Sequence, residues 1–348
     1  MSDFLSIHLA ERPKADILPS TFEARKNSPL SASSLKDDEL LIRSDYLSLD
    51  PAMRGWLNDV RSYIPPVKIG EVMRGACIAT VVASKSSKFK EGEQVLAMCG
   101  WTEYAIVQAK TLEKLALVGQ YGIQARDYQS VLGMTSLTAY FGMINEGHVN
   151  KLPKGSTVVV SGAAGATGLI AGQIAKIFGH RVVGIAGSKA KCDFLKSLGF
   201  DEALDYKSPT FYKDLCKVTP KYVDLFFDNV GGDVLDNVLR RAATRSTFII
   251  CGAISQYNAG PAAKGPAYYT NIITQRIKMQ GFIVFDYAKE YDSAREQLAK
   301  WYEQGKLARQ EYIVRGGLVK APEALQMLFD GKNTGKLLVA VSNSGSKL

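Results

Sequence analysis

The chain has 348 residues, 46% hydrophobic and 22% charged, a balance that excludes disordered and fibrous classes and a length that suits two cores rather than one. Its formal charge of +9 is spread without a dense basic run, so it reads first as a solvated surface, second as a field for an anionic ligand, and last as a nucleic-acid footprint. No apolar run reaches the roughly 18–20 residues that cross a bilayer and no signal segment opens the chain, so neither membrane insertion nor secretion is expected. Five scattered cysteines (Cys77, Cys99, Cys192, Cys216 and Cys251) fit reduced thiols inside a cell better than a disulfide framework.

From about residue 5 to 130 the pattern is short β-like runs broken by turns: Leu40 to Ile42, Cys77 to Ala83, Gln94 to Met98 and Thr102 to Val107. Gly70, Gly75, Gly92 and Gly100 punctuate them. After residue 150 the period changes. Apolar strands at Thr157 to Ser161, Arg181 to Ala186, Tyr222 to Asp228, Thr247 to Cys251 and Lys278 to Val284 alternate with helix-length stretches at 166–178, 189–198, 209–217 and 232–243. Such alternation predicts a doubly wound parallel sheet with right-handed crossovers. From about 310 the chain reads strand, helix (Ala321 to Asp330) and strand (Leu337 to Val341), returning to the first domain.

The apolar, mostly β-branched run Thr157-Val158-Val159-Val160-Ser161 leads into Gly162-Ala163-Ala164-Gly165-Ala166-Thr167-Gly168 and then a helix. Small residues there let the backbone approach a pyrophosphate, while free amides and the positive helix end face its charge. The glycines fall at even intervals of three, with Ala164 where a glycine is usual, so the signal rests on strand, turn, helix and second strand in order. Beyond the second strand the sequence Gly187-Ser188-Lys189-Ala190-Lys191 lacks the acid that would bind a ribose 2′-hydroxyl. A carboxylate would repel a 2′-phosphate, whereas small residues with lysines accept one, so NADP(H) is expected over NAD.

With these residues in hand, the chain resembles the zinc-independent medium-chain dehydrogenase/reductases, and within them the leukotriene/prostaglandin reductase and plant double-bond reductase group. The resemblance rests on Asp50-Pro51-Ala52-Met53-Arg54, Gly133 to Tyr140, the glycine turn, Phe227-Asp228-Asn229-Val230-Gly231-Gly232, Cys251 to Asn258 and Gly335-Lys336-Leu337. Thr135-Ser136 stands where relatives often carry Pro-Gly. The resemblance implies an α/β architecture: a GroES-like β-rich catalytic domain over 1–133, completed by 310–348, and a Rossmann NADP-binding domain over 134–309. It also implies a homodimer and metal-free, NADPH-dependent reduction of a carbon–carbon double bond conjugated to a ketone or aldehyde. By position, Gly165, Ala166, Thr167 and Gly168 match the pyrophosphate turn, and Lys191 and Tyr206 the 2′-phosphate contacts. Asn229, Cys251, Tyr257, Phe282, Ile283, Val284 and Asn333 match positions lining the rest of the cofactor.

Three histidines and five isolated cysteines show no zinc-ligand pattern, so no metal is expected. Charge developing on a substrate oxygen then needs a hydrogen bond from a side chain or from the cofactor ribose, and Tyr257, which the resemblance places in the loop after a sheet strand, is the candidate catalytic residue. Cys251, ending an apolar strand, is expected to be a buried thiol without a catalytic role. Arg54 and Tyr46 stay outside the catalytic set. Tyr257, Tyr268 and Tyr269 with the Gly- and Ala-rich stretch 258–267 fit either an apolar cleft under a loop or a plain surface loop. Two other functions share parts of this pattern: an NADPH quinone oxidoreductase, and an RNA-binding or scaffold protein that keeps a nucleotide site. The terminal Ser346-Lys347-Leu348 is a peroxisomal address in a eukaryotic source; otherwise a cytoplasmic location is expected.

Overall fold

A computed structural model describes residues 2–341. The Ser346-Lys347-Leu348 tripeptide lies outside them. In chain order the first strands are β1 (Phe4–Leu9), β2 (Phe22–Asn27), β3 (Glu39–Ser48), β4 (Cys77–Ser84), β5 (Gln94–Ala97), β6 (Tyr104–Gln108) and β7 (Leu112–Lys114). Helix α1 (Met134–Phe141) precedes an alternation of β8 (Thr157–Ser161), α2 (Ala166–Ile177), β9 (Arg181–Ala186), α3 (Lys189–Ser197), β10 (Glu202–Asp205), α4 (Phe211–Val218), β11 (Val223–Asp228), α5 (Gly232–Leu239) and β12 (Ala242–Ile250). Then come α6 (Thr270–Thr274), β13 (Lys278–Gly281), α7 (Tyr291–Glu303), β14 (Glu311–Val314), α8 (Ala321–Phe329) and β15 (Lys336–Ala340). Two compact units result: one is the chain up to Gln129 with Glu311–Asn333 and the stretch from Leu337 onward; the other is Ser130–Gln310 with Thr334–Lys336. No described helix is long and apolar enough to cross a membrane.

In the first unit the strands lie in the order β14-β15-β3-β4-β5-β7, with β6 also on β3, and β1 and β2 form a separate antiparallel ribbon. Alternation along the strands sends Leu40 and Ile42 into a core with Cys77, Ala79, Val81 and Val95. A second core joins Ile7, Leu47 and Trp101 to Leu325 of α8 and Val339 of β15, so the late segment completes the early one. Arg54 is only 2% exposed. Its guanidinium donates to the carbonyls of Ala15 and Pro13 and to Asn58 Oδ1. Burial lowers its pKa against the opposing pull of Asp16. Arg54 is therefore a clamp on a loop of its own unit.

The second unit holds six parallel strands in the order β10-β9-β8-β11-β12-β13. In order of appearance this is 3-2-1-4-5-6, the dinucleotide-binding arrangement, and the order reverses between β8 and β11. Every residue of β8 is buried, which explains its unbroken apolar run. Leu169, Ile170, Ile174 and Ala175 recur at helical spacing on α2 and are buried toward β8 and β9.

Three sequence expectations shift here. Helix α5 ends at Leu239 rather than 243, and β12 begins at Ala242 rather than Thr247. The early part of β12, Ala242 to Ser246, is mostly polar, contains the left-handed Arg245, and is held by pairing beside a register shift in β11 rather than by an apolar pattern. Strand β13 stops at Gly281, and Val284 opens a short 3-10 turn instead of ending a strand.

Candidate functional site

The carboxyl ends of β8, β11 and β12 are tied together by one buried residue, Asp228. Asp228 is 0% exposed and accepts the Ser161 hydroxyl at 2.6 Å and the amides of Val230 and Gly231 at 3.0 and 3.1 Å. Burial raises its pKa, and these three donors oppose the rise. Its own carbonyl accepts the amides of Cys251 and Gly252, joining β12 to the same knot. Asn229 donates its amide to Ser161 Oγ and its side-chain amide to the Ser161 carbonyl at 2.7 Å, so its side chain also braces this edge. Of these residues the sequence assigns a site role only to Asn229, with Asp228 present in a family motif and Ser161 only as a strand end. The available signal was a polar residue closing each of two apolar strands.

At this edge β8 passes into α2 through the glycine turn Gly162 to Gly168. Gly165 caps α2 without a side-chain hydrogen bond, so the amides of the first turn, at Ala166, Thr167 and Gly168, face outward from a helix end. A Cβ on Gly168 would stand 2.5 Å from the Gly162 carbonyl oxygen, so the turn closes only around glycine. Ala164 is tolerated in place of glycine: it is 2% exposed, and its carbonyl accepts the Gly335 amide at 2.8 Å. These features form a cradle of amides around backbone too close for side chains, which fits a pyrophosphate.

Beyond β9, Gly187 packs under the Tyr206 ring, where a Cβ would fall 2.9 Å from Cε1. Ser188 caps α3 by accepting the Lys191 amide at 3.3 Å. Burial and then the charge of Lys207 lower the Lys191 pKa, so two cations share this corner, and Lys207 Nζ lies 5.8 Å from the centre of the Tyr206 ring. The nearest acid in sequence, Asp205, accepts the Lys207 amide. Lys189, equally eligible in the sequence, pairs with Asp193 at 2.6 Å on the exposed face of α3. Lys207 was not anticipated, although it directly follows Tyr206 at the end of β10.

A cleft of about 560 Å³ opens past β12 and β13 and is lined by Cys251, Gly252, Ala253 and Tyr257 on one side and Phe282, Ile283 and Asp286 on the other. Tyr257 Oη accepts the Ala253 amide at 3.1 Å and stands over Gly252, where a Cβ would lie 3.0 Å away. Val284 is not among the cleft walls: it is buried, and its carbonyl accepts the Tyr291 hydroxyl at 3.0 Å. Asn333 is buried in the first unit. Tyr268 sits 5.0 Å from the Arg240 guanidinium and Tyr269 is 59% exposed, and neither lines the cleft. Asp286 was not foreseen.

Desolvation, followed by the nearby Asp228 charge, pushes the Cys251 thiol up to about 12. Cys251 is therefore expected to resist iodoacetamide in the native protein at neutral pH and to label on unfolding. Prompt labelling in the native state would show an activated thiol. Among the described residues no three His, Cys, Asp or Glu side chains converge as metal ligands.

The family model described as the N-terminal domain of oxidoreductase matches residues 6–115, and that described as zinc-binding dehydrogenase matches residues 166–300. The chain is 36% identical to the NADPH-dependent curcumin reductase of Escherichia coli (strain K12), over 96% of each chain. It is 39% identical to the NADP(+)-dependent 2-alkenal reductase of Nicotiana tabacum, over 88% of each. Among solved structures, CurA of Vibrio vulnificus in complex with NADPH superposes with a TM-score of 0.88 at 39% identity, covering 97% of this chain and 99% of that one. The chain belongs to the medium-chain dehydrogenase/reductases, within the leukotriene/prostaglandin reductase and plant double-bond reductase group.

Proposed function

We propose that this oxidoreductase uses NADPH to reduce the carbon–carbon double bond of α,β-unsaturated aldehydes or ketones. The observation that carries the reading is a tyrosine hydroxyl set in a cleft at the sheet edge that also bears the phosphate turn. The names of the tobacco and Escherichia coli relatives point to the same chemistry.

NADPH, when bound, supplies the hydride. The amides of Ala166, Thr167 and Gly168 would hold its pyrophosphate, and Lys191, Lys207 and the Tyr206 edge its 2′-phosphate. Phe282 and Ile283 line the cleft with apolar surface, which weakens competition from water for polar contacts inside it. Tyr257 donates its phenolic proton toward the substrate carbonyl oxygen, where negative charge accumulates as the β carbon is reduced. Cys251 stays a protonated thiol and contributes shape only. Asn333 is retained as a cofactor contact on the family resemblance.

Replacing Tyr257 with Phe should lower kcat by about ten- to a hundredfold with little change in the KM for NADPH. The Ala253 amide loses its acceptor as well, so a stability loss of about 1 kcal/mol is expected beside the kinetic one. An unchanged kcat would remove Tyr257 from the mechanism. The substrate class is tested by following NADPH oxidation with straight-chain enals, enones and small quinones in parallel. Preference for quinones would overturn the reading in favour of a quinone oxidoreductase. Inactivity on every activated alkene, together with tight salt-sensitive RNA binding, would favour a nucleotide-bound RNA-binding protein.

A further inference from the structure

The first unit contains a thiol pair that the proposed reduction does not use. Cys77 opens β4 and Cys99 follows the end of β5; the register of these antiparallel strands sets Cys77 opposite Ala97, so Cys99 lies two residues further along the same face. The chain then turns at Gly100, whose amide donates to the Gly75 carbonyl at 3.0 Å, folding the segment after β5 back onto the segment before β4. The two sulfurs end 2.9 Å apart as free thiols. A disulfide bond is about 2.05 Å long, so bond formation needs only about 1 Å of further approach. Ser44 Oγ lies 3.6 Å from each sulfur.

The two thiols are not equivalent. Cys77 is 0% exposed in the strand core, whereas Cys99 is only partly buried. The hydrogen bond between the two sulfurs lowers the Cys99 pKa from that of an ordinary thiol and, with burial and the charges of Cys99 and Asp45, pushes that of Cys77 well up. No third ligand stands with them in a metal-binding group among the described residues, so the arrangement favours thiol–disulfide chemistry over metal binding.

We propose that Cys77 and Cys99 are a site of oxidative modification by hydroperoxides, Cys99 attacking and Cys77 resolving to a disulfide. The Cys99 thiolate attacks the terminal oxygen of the hydroperoxide. The O–O bond breaks, the alcohol (water, from hydrogen peroxide) leaves with the proton Cys99 gave up, and Cys99 becomes a sulfenic acid. The Cys77 sulfur then attacks the Cys99 sulfur, the S–O bond breaks, and water leaves carrying the Cys77 proton. Two thiols lose two protons and two electrons, and the hydroperoxide takes both. An added dithiol reverses the modification.

The test uses the full-length native protein and hydrogen peroxide, read by intact mass and by mapping of cysteine peptides. The expected product has lost two hydrogens and two of its five thiols, with Cys77 and Cys99 cross-linked and Cys192, Cys216 and Cys251 still alkylated after unfolding. In urea the same dose should cross-link the pair much more slowly. Cys77→Ser should stop at a sulfenic acid on Cys99, trapped by dimedone, and Cys99→Ser should leave Cys77 reduced. Native wild-type protein in which both thiols survive while other cysteines oxidise would overturn the proposal without recourse to any variant. A dimedone adduct on Cys77 rather than Cys99 would overturn the assigned roles.

Discussion

Lys191→Ala should raise the KM for NADPH by about ten- to a hundredfold and leave the KM for NADH within about twofold. A hydrogen bond to a charged group contributes roughly 1.5–3 kcal/mol, and each 1.4 kcal/mol is about tenfold in binding. The structure sharpens this expectation in two ways. Burial and then the Lys207 charge disfavour the charged form of Lys191, and a 2′-phosphate bound beside the two cations would offset both. Removing one lysine also relieves repulsion on the other, which keeps the loss below that of two independent contacts. Lys207→Ala should therefore show the same selectivity in weaker form, because Lys207 is the more exposed. Lys189→Ala should do nothing to either cofactor, since Lys189 spends its charge on Asp193. Steady-state kinetics with both cofactors on the three variants checks the assignment, and equal effects of Lys191→Ala on NADPH and NADH would refute it.

Gly168→Ala should weaken binding of both cofactors together, by about tenfold or more, and lower stability by roughly 1–3 kcal/mol. The added methyl would meet the Gly162 carbonyl oxygen at 2.5 Å and the Ala163 Cα at 2.8 Å. Both are backbone atoms of the turn, with no side chain that can swing away, so the turn itself must open. Ala163 is held in place by its N–H, which donates to the Ile185 carbonyl of β9 at 3.0 Å, so opening the turn also strains the β8–β9 pairing. Thermal denaturation with and without NADPH separates the two consequences. The midpoint falls without ligand, and the ligand-induced rise shrinks with the lost affinity. A variant with full ligand response would show that the turn adapts and does not hold the pyrophosphate.

How much of this was legible beforehand depends on how local the cause is. The strand Thr157–Ser161 declared itself through five residues suited to burial on both faces, and the glycines after it through the backbone approach they permit. The four-residue strand Glu202–Asp205 did not, because its half-buried positions carry no apolar pattern and pairing with β9 supplies what its composition lacks. In the sequence, Tyr268 and Tyr269 fit either an apolar cleft under a loop or a plain surface loop. The chain carries Tyr268 to Arg240, where a cation–π contact holds it. Arg54 sits in a family motif, yet its donors are spent on Pro13, Ala15 and Asn58, partners that no local pattern names.

Helical period, strand period and glycine sterics act within a few residues, so the two-part α/β architecture, the glycine turn after β8 and the lack of an acid directly after β9 are legible without the fold. Long-range packing settles the rest: that Lys191 and Lys207 share a corner, that Asp228 joins three strand ends, that Tyr257 lines the cleft while Val284 is buried, and that Cys77 meets Cys99. Each of those depends on strand order and register, which bring together residues tens of positions apart and set the burial and neighbouring charge that decide what each side chain can do.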